Sequence, residues 1–206
     1  MKIGDLLLKY KTDKNHGTIK NIYGCLDKRE VVTNPEPHIG HTYGKSYDEI
    51  FDTFDNDKKI NFLEIGVQKG GSMLAWKDYF KNSKVFGVDI KDTILDEYRP
   101  LIESNGDFTY ILSDIKHDSV KEQLKDITFD IIIDDGSHLL PDVIFVINNY
   151  LNKLNSGGVL IIEDCQSPHH WLTEITKITP LDYDITTKDL RQGVSYDNYL
   201  IIIKKK

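Results

Sequence analysis

Acidic side chains and one histidine follow two apolar, strand-like runs of this chain. They are Asp134, Asp135 and His138 after the run at residues 129–133, and Glu163 and Asp164 after the run at residues 158–162. If the two runs are neighbouring strands of a parallel sheet, these carboxylates meet at one edge of it. Uncompensated anions that close to one another repel strongly in a low dielectric. The pattern therefore predicts a bound cation.

Oxygen ligands without a nearby pair of thiolates favour magnesium, manganese or calcium over zinc. His138 lies three residues beyond Asp135, and an imidazole that titrates near neutrality can take a proton from a hydroxyl group. Acids that cap helices or face solvent, and a structural histidine, are the alternatives, and Asp134 fits the first of them. Cys165, His169 and His170 lie close in sequence, but their spacing matches no common zinc motif.

A glycine-rich turn follows the first buried run and precedes a helical pattern. It holds Gly66, Gly70 and Gly71, and glycines at such a turn let the backbone approach a ligand that faces the N–H groups of the helix. The dinucleotide fingerprint G-x-G-x-x-G is not met, because Gln68 occupies the second glycine position. Glu64 adds a carboxylate that would repel a pyrophosphate. The turn therefore predicts a nucleotide-type site for a cationic or hydroxyl-rich ligand.

Two further acids end the next two strand-like runs. Asp89 follows the second run, where a carboxylate can accept hydrogen bonds from both hydroxyl groups of a ribose. Asp114 follows the third run, where it can accept a hydrogen bond from an adenine amino group. Acids and glycines also punctuate strand ends without function, but three successive strand ends carry them here.

The elements that must position these residues alternate between strand and helix. Strands are predicted at residues 60–65, 84–88, 108–112, 129–133 and 158–162, and helices at 72–80, 93–104, 119–125 and 140–154. Residues 181–185 and 198–204 predict an antiparallel closing pair, and residues 3–10 and 46–54 predict two amphipathic N-terminal helices. The chain is therefore expected to be an α/β protein with a doubly wound, Rossmann-like sheet. We expect residues 1–58 to form N-terminal helices and a cap with a long loop at 15–45, as part of the same domain as the ligand-binding residues 59–206.

Composition narrows the function classes. The 206 residues carry 26 basic and 33 acidic side chains, so the net charge of −7 gives no footprint for nucleic-acid binding. No apolar run reaches the ~20 residues of a membrane span. The two cysteines, Cys25 and Cys165, cannot build a disulfide framework, which favours a reducing cytoplasm. We expect a small-molecule substrate, no nucleic acid and no membrane, and a homo-oligomer is left open.

Several motifs resemble the class I S-adenosylmethionine-dependent methyltransferases. They are Leu-Glu-Ile-Gly at residues 63–66, Gly-Val-Asp at 87–89, the Asp-Asp-Gly-Ser-His segment ending at residue 138, and Gly-Gly-Val-Leu-Ile-Ile-Glu-Asp at 157–164. The chain further resembles the metal-dependent O-methyltransferases of macrolide sugars, because Thr-Asp-Lys at residues 12–14 and the His-x-Tyr segment from residue 41 are similar to that family's N-terminal signatures. Lys11 departs from the family, which usually has glycine at this position.

The resemblance implies a sheet of about seven strands and methyl transfer from S-adenosylmethionine to a hydroxyl group of a sugar or another vicinal diol. It implies that Asp135, Glu163 and Asp164 hold Mg²⁺ or Mn²⁺ and that His138 and Asp135 are catalytic. The cofactor contacts that it implies are Thr12, Tyr43, Tyr47, Glu64, Ile65, Gly66, Val67, Gly70, Gly71, Ser72, Asp89, Ile90, Ser113, Asp114 and Asp135. The alternatives are an NAD(P)-type oxidoreductase on a similar sheet and a non-catalytic adenosyl-binding module.

Overall fold

The computed structural model describes residues 1–15, 41–191 and 196–206. Its helices are α1 (Ile3–Lys9), α2 (Gly44–Phe51), α3 (Gly71–Tyr79), α4 (Arg99–Glu103), α5 (Asp118–Gln123), α6 (Leu140–Tyr150) and α7 (Pro168–Ile178). Its strands are β1 (Ile60–Ile65), β2 (Ser83–Asp89), β3 (Phe108–Leu112), β4 (Phe129–Asp134), β5 (Leu154–Ile162), β6 (Tyr183–Asp189) and β7 (Tyr199–Lys205). Cys25 and most of the loop expected at 15–45 lie outside these ranges. In the part that is described, no helix has the length and apolarity to cross a bilayer.

The seven strands form one sheet in the order β3-β2-β1-β4-β5-β7-β6. β1 pairs in parallel with both β2 and β4, so the chain turns from one half of the sheet to the other at this point. β7 runs antiparallel to both β5 and β6, as the predicted closing pair requires. The predicted fold class is confirmed. Ligands of open α/β sheets bind beyond the carboxyl ends of the strands at such a switch point.

Helices cover both faces of the sheet, which is why its central strands are apolar without alternation. In β4, for example, Phe129, Ile131, Ile132 and Ile133 are all fully buried. Helices α5, α6 and α7 pack on one face, and α1, α2, α3 and α4 pack on the other. The carboxyl ends of the strands are thereby held at one edge between two layers of helices.

The N-terminal helices pack directly on the sheet domain. Trp76 of α3 stacks on Phe62 of β1 with ring centroids 5.1 Å apart, and Tyr47 of α2 meets the same indole edge-on at 5.3 Å. Asn15 is wedged between α1 and α2, where its Nδ2 donates to the carbonyl of Gly4 at 2.9 Å. A Cβ atom at Gly4 or Gly44 would come within 2.8 Å of the Asn15 side chain. These contacts fix the path of the residues just before Asn15.

Two helices differ from the sequence prediction. The helix expected at 93–104 is confined to Arg99–Glu103 with a proline in its first turn, because Pro100 favours a helix start and cannot lie in a helix interior. No range was predicted for helix α7, although Pro168 stands in its first turn and the helix buries Trp171 and Ile175, which lie one turn apart. Its exposed histidines and threonines hid the apolar stripe.

The end of α1 explains the unusual residue at position 11. The N–H of Lys11 bonds to the carbonyl of Leu8 at 3.1 Å, and the N–H of Thr12 bonds to that of Leu7 at 3.0 Å. This pair of bonds is a Schellman motif, whose penultimate residue adopts the left-handed conformation that glycine favours. Lys11 has that conformation, with φ of 54°. The family's glycine therefore corresponds to a real backbone requirement.

Replacing Lys11 by glycine is expected to raise the free energy of unfolding by about 0.5–1 kcal/mol. Relief of the left-handed conformation, worth roughly 1–2 kcal/mol, exceeds the entropy that glycine adds to the unfolded chain. Denaturant unfolding of Lys11→Gly beside Lys9→Gly, which lies within the same helix, would check it. Equal destabilisation by the two variants would contradict the assignment.

Candidate active site

The carboxyl ends of β1 to β5 surround a cavity of about 380 Å³, a volume in the range of ligand sites. Seven aspartates and two lysines line it beside His138, and they are Asp13, Asp89, Asp114, Asp134, Asp135, Asp142, Asp164, Lys91 and Lys116. The other lining residues include Ile65, Gly66, Gln68, Ile90 and Ser113. The predicted edge of the sheet therefore does bring these side chains to one cavity, and that cavity is strongly acidic.

Gly66 lies where β1 and β4 part. It has a φ of 85°, and a Cβ atom there would come 2.0 Å from the carbonyl oxygen of Asp135. The N–H of Asp135 in turn donates to the carbonyl of Ile65 at 2.9 Å. Any side chain at position 66 would push the two strand ends apart, so glycine is required here by both conformation and space.

Asp89 anchors the glycine turn. Its Oδ2 accepts hydrogen bonds from the backbone N–H groups of Val67 and Gln68, both at 2.8 Å, and its Oδ1 accepts one from Lys91 at 2.9 Å. A carboxylate has about four lone pairs, and Asp89 still lines the cavity. The same side chain can therefore hold the turn and face a ligand.

Most of the remaining predicted cofactor residues lie in two places. Ile90, Ser113 and Asp114 line the main cavity. Thr12, Val67, Gly71 and Ser72 line a narrow cleft beside it, which shares Gly66 and Asp135 with the cavity. Among described residues, the Oγ1 of Thr12 is buried without a hydrogen-bond partner. Gly70 caps α3 in the left-handed conformation with φ of 85°.

Glu64 is fully buried below the glycine turn and lies outside the lining of both spaces. The Oγ of Ser72 donates to its Oε2 at 2.9 Å, and its Oε1 lies 3.6 Å from the Nζ of Lys14. Burial raises the pKa of Glu64 to about 7 against the opposing effect of Lys14. Its ligand contact stays a prediction, whereas its contact with Lys14 is a feature of the fold.

Three side chains form a group that could hold a metal ion. The ligand atoms of Asp135, His138 and Asp164 all lie within 4.8 Å of one another. His138 and Asp164 both have left-handed backbone conformations, with φ of 55° and 56°. Such strain in residues other than glycine is concentrated at functional sites. Burial raises the pKa of Asp135 to about 6, with Lys14 acting in the opposite direction.

Glu163, the third predicted ligand, faces a different set of partners. Lys14 lies 2.9 and 3.0 Å from its two carboxylate oxygens, and the hydroxyl of Tyr47 donates to Oε1. The hydroxyl of Tyr43 donates to Oδ1 of Asp164 at 2.6 Å. Both tyrosines are fully buried and lie outside the cavity lining. They orient the acids, and a direct cofactor contact by either tyrosine stays a prediction.

Sequence reasoning gave no role to Asn198, which is fully buried at the start of the last strand. Its Nδ2 donates to Thr42 Oγ1 at 3.0 Å and to the Leu190 carbonyl at 2.6 Å, and its Oδ1 accepts from the Thr42 N–H at 3.3 Å. Beside it, His41 stacks on Tyr43 and places Nδ1 3.3 Å from Oδ1 of Asp164. No local spacing could reveal contacts between positions so far apart in sequence.

A family model described as a methyltransferase domain matches residues 63–165 of this chain. The chain belongs to this family. Its match runs from the end of β1 past Asp164, so it includes the glycine turn and both acidic strand ends. The recognition made from the motifs is thereby confirmed.

Two curated relatives are named as O-methyltransferases, and the name of the first includes a rhamnosyl group. An 8-demethyl-8-α-L-rhamnosyl tetracenomycin-C 2′-O-methyltransferase of Streptomyces olivaceus is 32% identical over 63% of this chain and 34% of its own length. A mycinamicin VI 2″-O-methyltransferase of Micromonospora griseorubida is 31% identical over 75% of this chain and 41% of its own length. The chain thus spans between a third and a little over two fifths of these relatives.

Among solved structures, the fold is similar to that of the methyltransferase MycE of the mycinamycin pathway, in complex with Mg, SAH and mycinamycin VI. The TM-score is 0.68 at 20% sequence identity, and the match covers 100% of this chain and 54% of MycE. A structure titled as a putative rRNA methylase from Clostridium thermocellum gives a TM-score of 0.62 at 17% identity, over 81% of this chain and 97% of the other. At sequence identities this low, the likeness shows a shared fold and nothing more.

Proposed function

We propose that this chain transfers a methyl group from S-adenosylmethionine to a hydroxyl group of a sugar or another vicinal diol, assisted by a divalent metal ion. The observation that carries the proposal is the acidic cavity at the β1–β4 switch point, with seven aspartates against two lysines. A sulfonium cation suits such a lining, whereas the pyrophosphate of a dinucleotide would be repelled. The rhamnosyl group in the name of the Streptomyces olivaceus relative supports a sugar as the acceptor.

The donors of the acidic edge fit a hard divalent ion. Asp135 and Asp164 offer carboxylate oxygens, and the ring nitrogen of His138 lies within the same 4.8 Å, where it can accept a proton from a bound hydroxyl group. Magnesium and manganese both accept carboxylate ligands. The ion supplies Lewis acidity, which lowers the pKa of an acceptor hydroxyl group. Glu163 completes the predicted ligand set, although in this structure its oxygens face Lys14 and Tyr47.

The chain's own residues bind the cofactor, orient the reacting groups and accept a proton. In this proposal Asp89, at the end of β2, accepts hydrogen bonds from the ribose, Asp114, just beyond β3, accepts one from the adenine, and Gly66 leaves room for the ligand. His138 is partly exposed, with Nε2 3.8 Å from Oδ2 of Asp164, so its imidazole can take the hydroxyl proton. The reaction then forms one O–C bond and breaks one C–S bond, and the proton ends on His138. Positioning of oxygen, methyl carbon and sulfur in line supplies much of the rate.

Calorimetric titration of the chain with S-adenosylmethionine, S-adenosylhomocysteine and NAD tests the binding half of the proposal. The two adenosyl ligands are expected to bind and NAD is not.

Activity is tested by incubating the chain with S-adenosylmethionine, Mg²⁺ and a panel of nucleotide sugars, rhamnosides and catechol. Mass spectrometry is then used to detect a gain of one CH₂ group. Binding of NAD alone would favour the oxidoreductase. Adenosyl binding without product on any diol would favour a non-catalytic module.

Replacement of Asp89 by alanine is expected to weaken S-adenosylhomocysteine binding by roughly 1.5–3 kcal/mol, the scale of a hydrogen bond to a charged group. The loss has two sources, because the variant removes both a ligand acceptor and the anchor of the Val67 and Gln68 N–H groups. Asp92→Ala, which removes an exposed acid paired with Arg99, is the matched control. Unchanged affinity in folded Asp89→Ala would remove Asp89 from the site.

A further inference from the structure

The ammonium group of Lys14 lies inside the acidic cluster. The side chain is 3% exposed, and Nζ lies 2.5 Å from Asp135 Oδ2 and 2.9 Å from Glu163 Oε1. Glu64 Oε1 is 3.6 Å away on the third side. Three carboxylates therefore surround this single ammonium group. Lys14 is therefore a buried, fixed positive charge.

This position divides the acids of the cluster into two sets. Both oxygens of Glu163 are within hydrogen-bond distance of Lys14, and Tyr47 donates to one of them. Asp135, His138 and Asp164 form a separate group on the cavity side, where all three line the wall. A positive charge beside a carboxylate oxygen repels a second cation there, so Lys14 weakens the binding of a divalent ion at Glu163 and at Oδ2 of Asp135 more than at Asp164.

The path of the chain makes this arrangement rigid. Lys14 lies two residues beyond the Schellman motif that ends α1, and the next residue, Asn15, is wedged between α1 and α2. The N–H of Tyr43 also donates to the carbonyl of Lys14 at 3.0 Å. The backbone at Lys14 is therefore tied on both sides, and the ammonium is delivered to the acids by the fold.

We propose that Lys14 is a positioning residue that serves as a built-in counter-cation for Glu163 and Asp135. It keeps the acidic edge assembled without metal and confines a divalent ion to the side of Asp135, His138 and Asp164. The second statement rests on the proposed function, since it concerns the same ion. The first concerns the metal-free protein and stands independently of catalysis.

The test replaces Lys14 by methionine, which keeps the length of the side chain and removes its charge. In EDTA, Lys14→Met is expected to melt at a lower temperature than the wild type, because buried carboxylates lose their partner. In calorimetric titration with Mn²⁺ alone, it is expected to bind the ion about tenfold or more tightly, the scale on which one neighbouring charge shifts a carboxyl equilibrium. A residue with a merely structural role would weaken Mn²⁺ binding when removed.

Two further variants make the outcome decisive. Lys11→Met removes a 73% exposed lysine of the same segment and is expected to change neither quantity. If Lys14→Met does not fold in EDTA, the double variant Lys14→Met/Glu163→Gln, which removes both charges of the pair, is expected to recover folding. Failure of that recovery would overturn the proposal, as would Mn²⁺ affinity in Lys14→Met equal to or below that of Lys11→Met.

The role of Lys14 can be tested separately from the proposed function, because methyl transfer and adenosyl binding are measured on the wild type. A wild type that binds Mn²⁺ but transfers no methyl group would contradict the proposed function, and the Lys14 comparison would still be read from the two affinities. A wild type that transfers methyl groups, with no gain of Mn²⁺ affinity in Lys14→Met, would overturn the role of Lys14 alone.

Discussion

Removal of divalent ions with EDTA is expected to reduce methyl transfer by about a hundredfold or more, since a Lewis acid contributes several kcal/mol to such a transition state. Binding of S-adenosylhomocysteine is expected to remain largely unchanged, because Asp89 and Asp114 lie at the carboxyl ends of β2 and β3, whereas Asp135 and Asp164 follow β4 and β5. Initial rates and calorimetric affinities, measured on the same sample before and after chelation, check both halves of this expectation.

The matched control is the same concentration of chelator already saturated with Mg²⁺, which should leave the rate intact. Addition of Mg²⁺ or Mn²⁺ in excess of free EDTA should restore the rate. Full activity in free EDTA would show that the ion has no part in the reaction and that the acids of the cluster serve the fold. Loss of both activity and adenosyl affinity would place the ion within the cofactor site instead.

Replacement of His138 is expected to lower kcat by about 10²–10⁴-fold, the usual contribution of a general base. Affinity for S-adenosylhomocysteine should change little. The residue has a left-handed backbone, which asparagine tolerates better than alanine does. His138→Asn therefore removes the base with little backbone cost, and comparison with His138→Ala separates chemistry from strain.

His169→Ala provides the control, since this histidine lies at the start of α7, outside the lining of the cavity. It should leave kcat unchanged. Steady-state kinetics on purified variants of equal thermal stability would show whether only the His138 variants lose kcat. Near wild-type kcat in His138→Asn would mean that another group accepts the proton, and Asp134, whose pKa burial raises to about 6, would be the next residue to test.

The sequence alone was sufficient to predict the features that depend on which residues are neighbours along the chain. Alternating apolar runs predicted the strands, and acids at their ends predicted the edge where Asp89, Asp114, Asp135 and Asp164 line one cavity. The structure supplies what depends on contacts across the chain. Lys14 and Glu163 are separated by 149 positions, and Tyr47 and Glu163 by 116, so no spacing rule could pair them.

Residue 11 shows an intermediate case. The sequence revealed a departure from a family glycine, but its meaning required the pair of backbone bonds at the end of α1. Helix α7 shows the opposite failure, because its polar face concealed a buried stripe of Trp171 and Ile175. In both cases the cause lies within a few neighbouring residues, but it can be identified only from their contacts in the structure.

The place of β7 in the sheet has a consequence for the order of folding during synthesis. β7 is the last strand in sequence, yet it lies between β5 and β6. Until residues 199–205 have left the ribosome, β5 presents an unpaired apolar edge from Val159 to Ile162, the segment that β7 later covers. Such edges favour association with other chains. The protein therefore completes its sheet, and the Asn198 contacts beside Asp164, only after β7 has been synthesised.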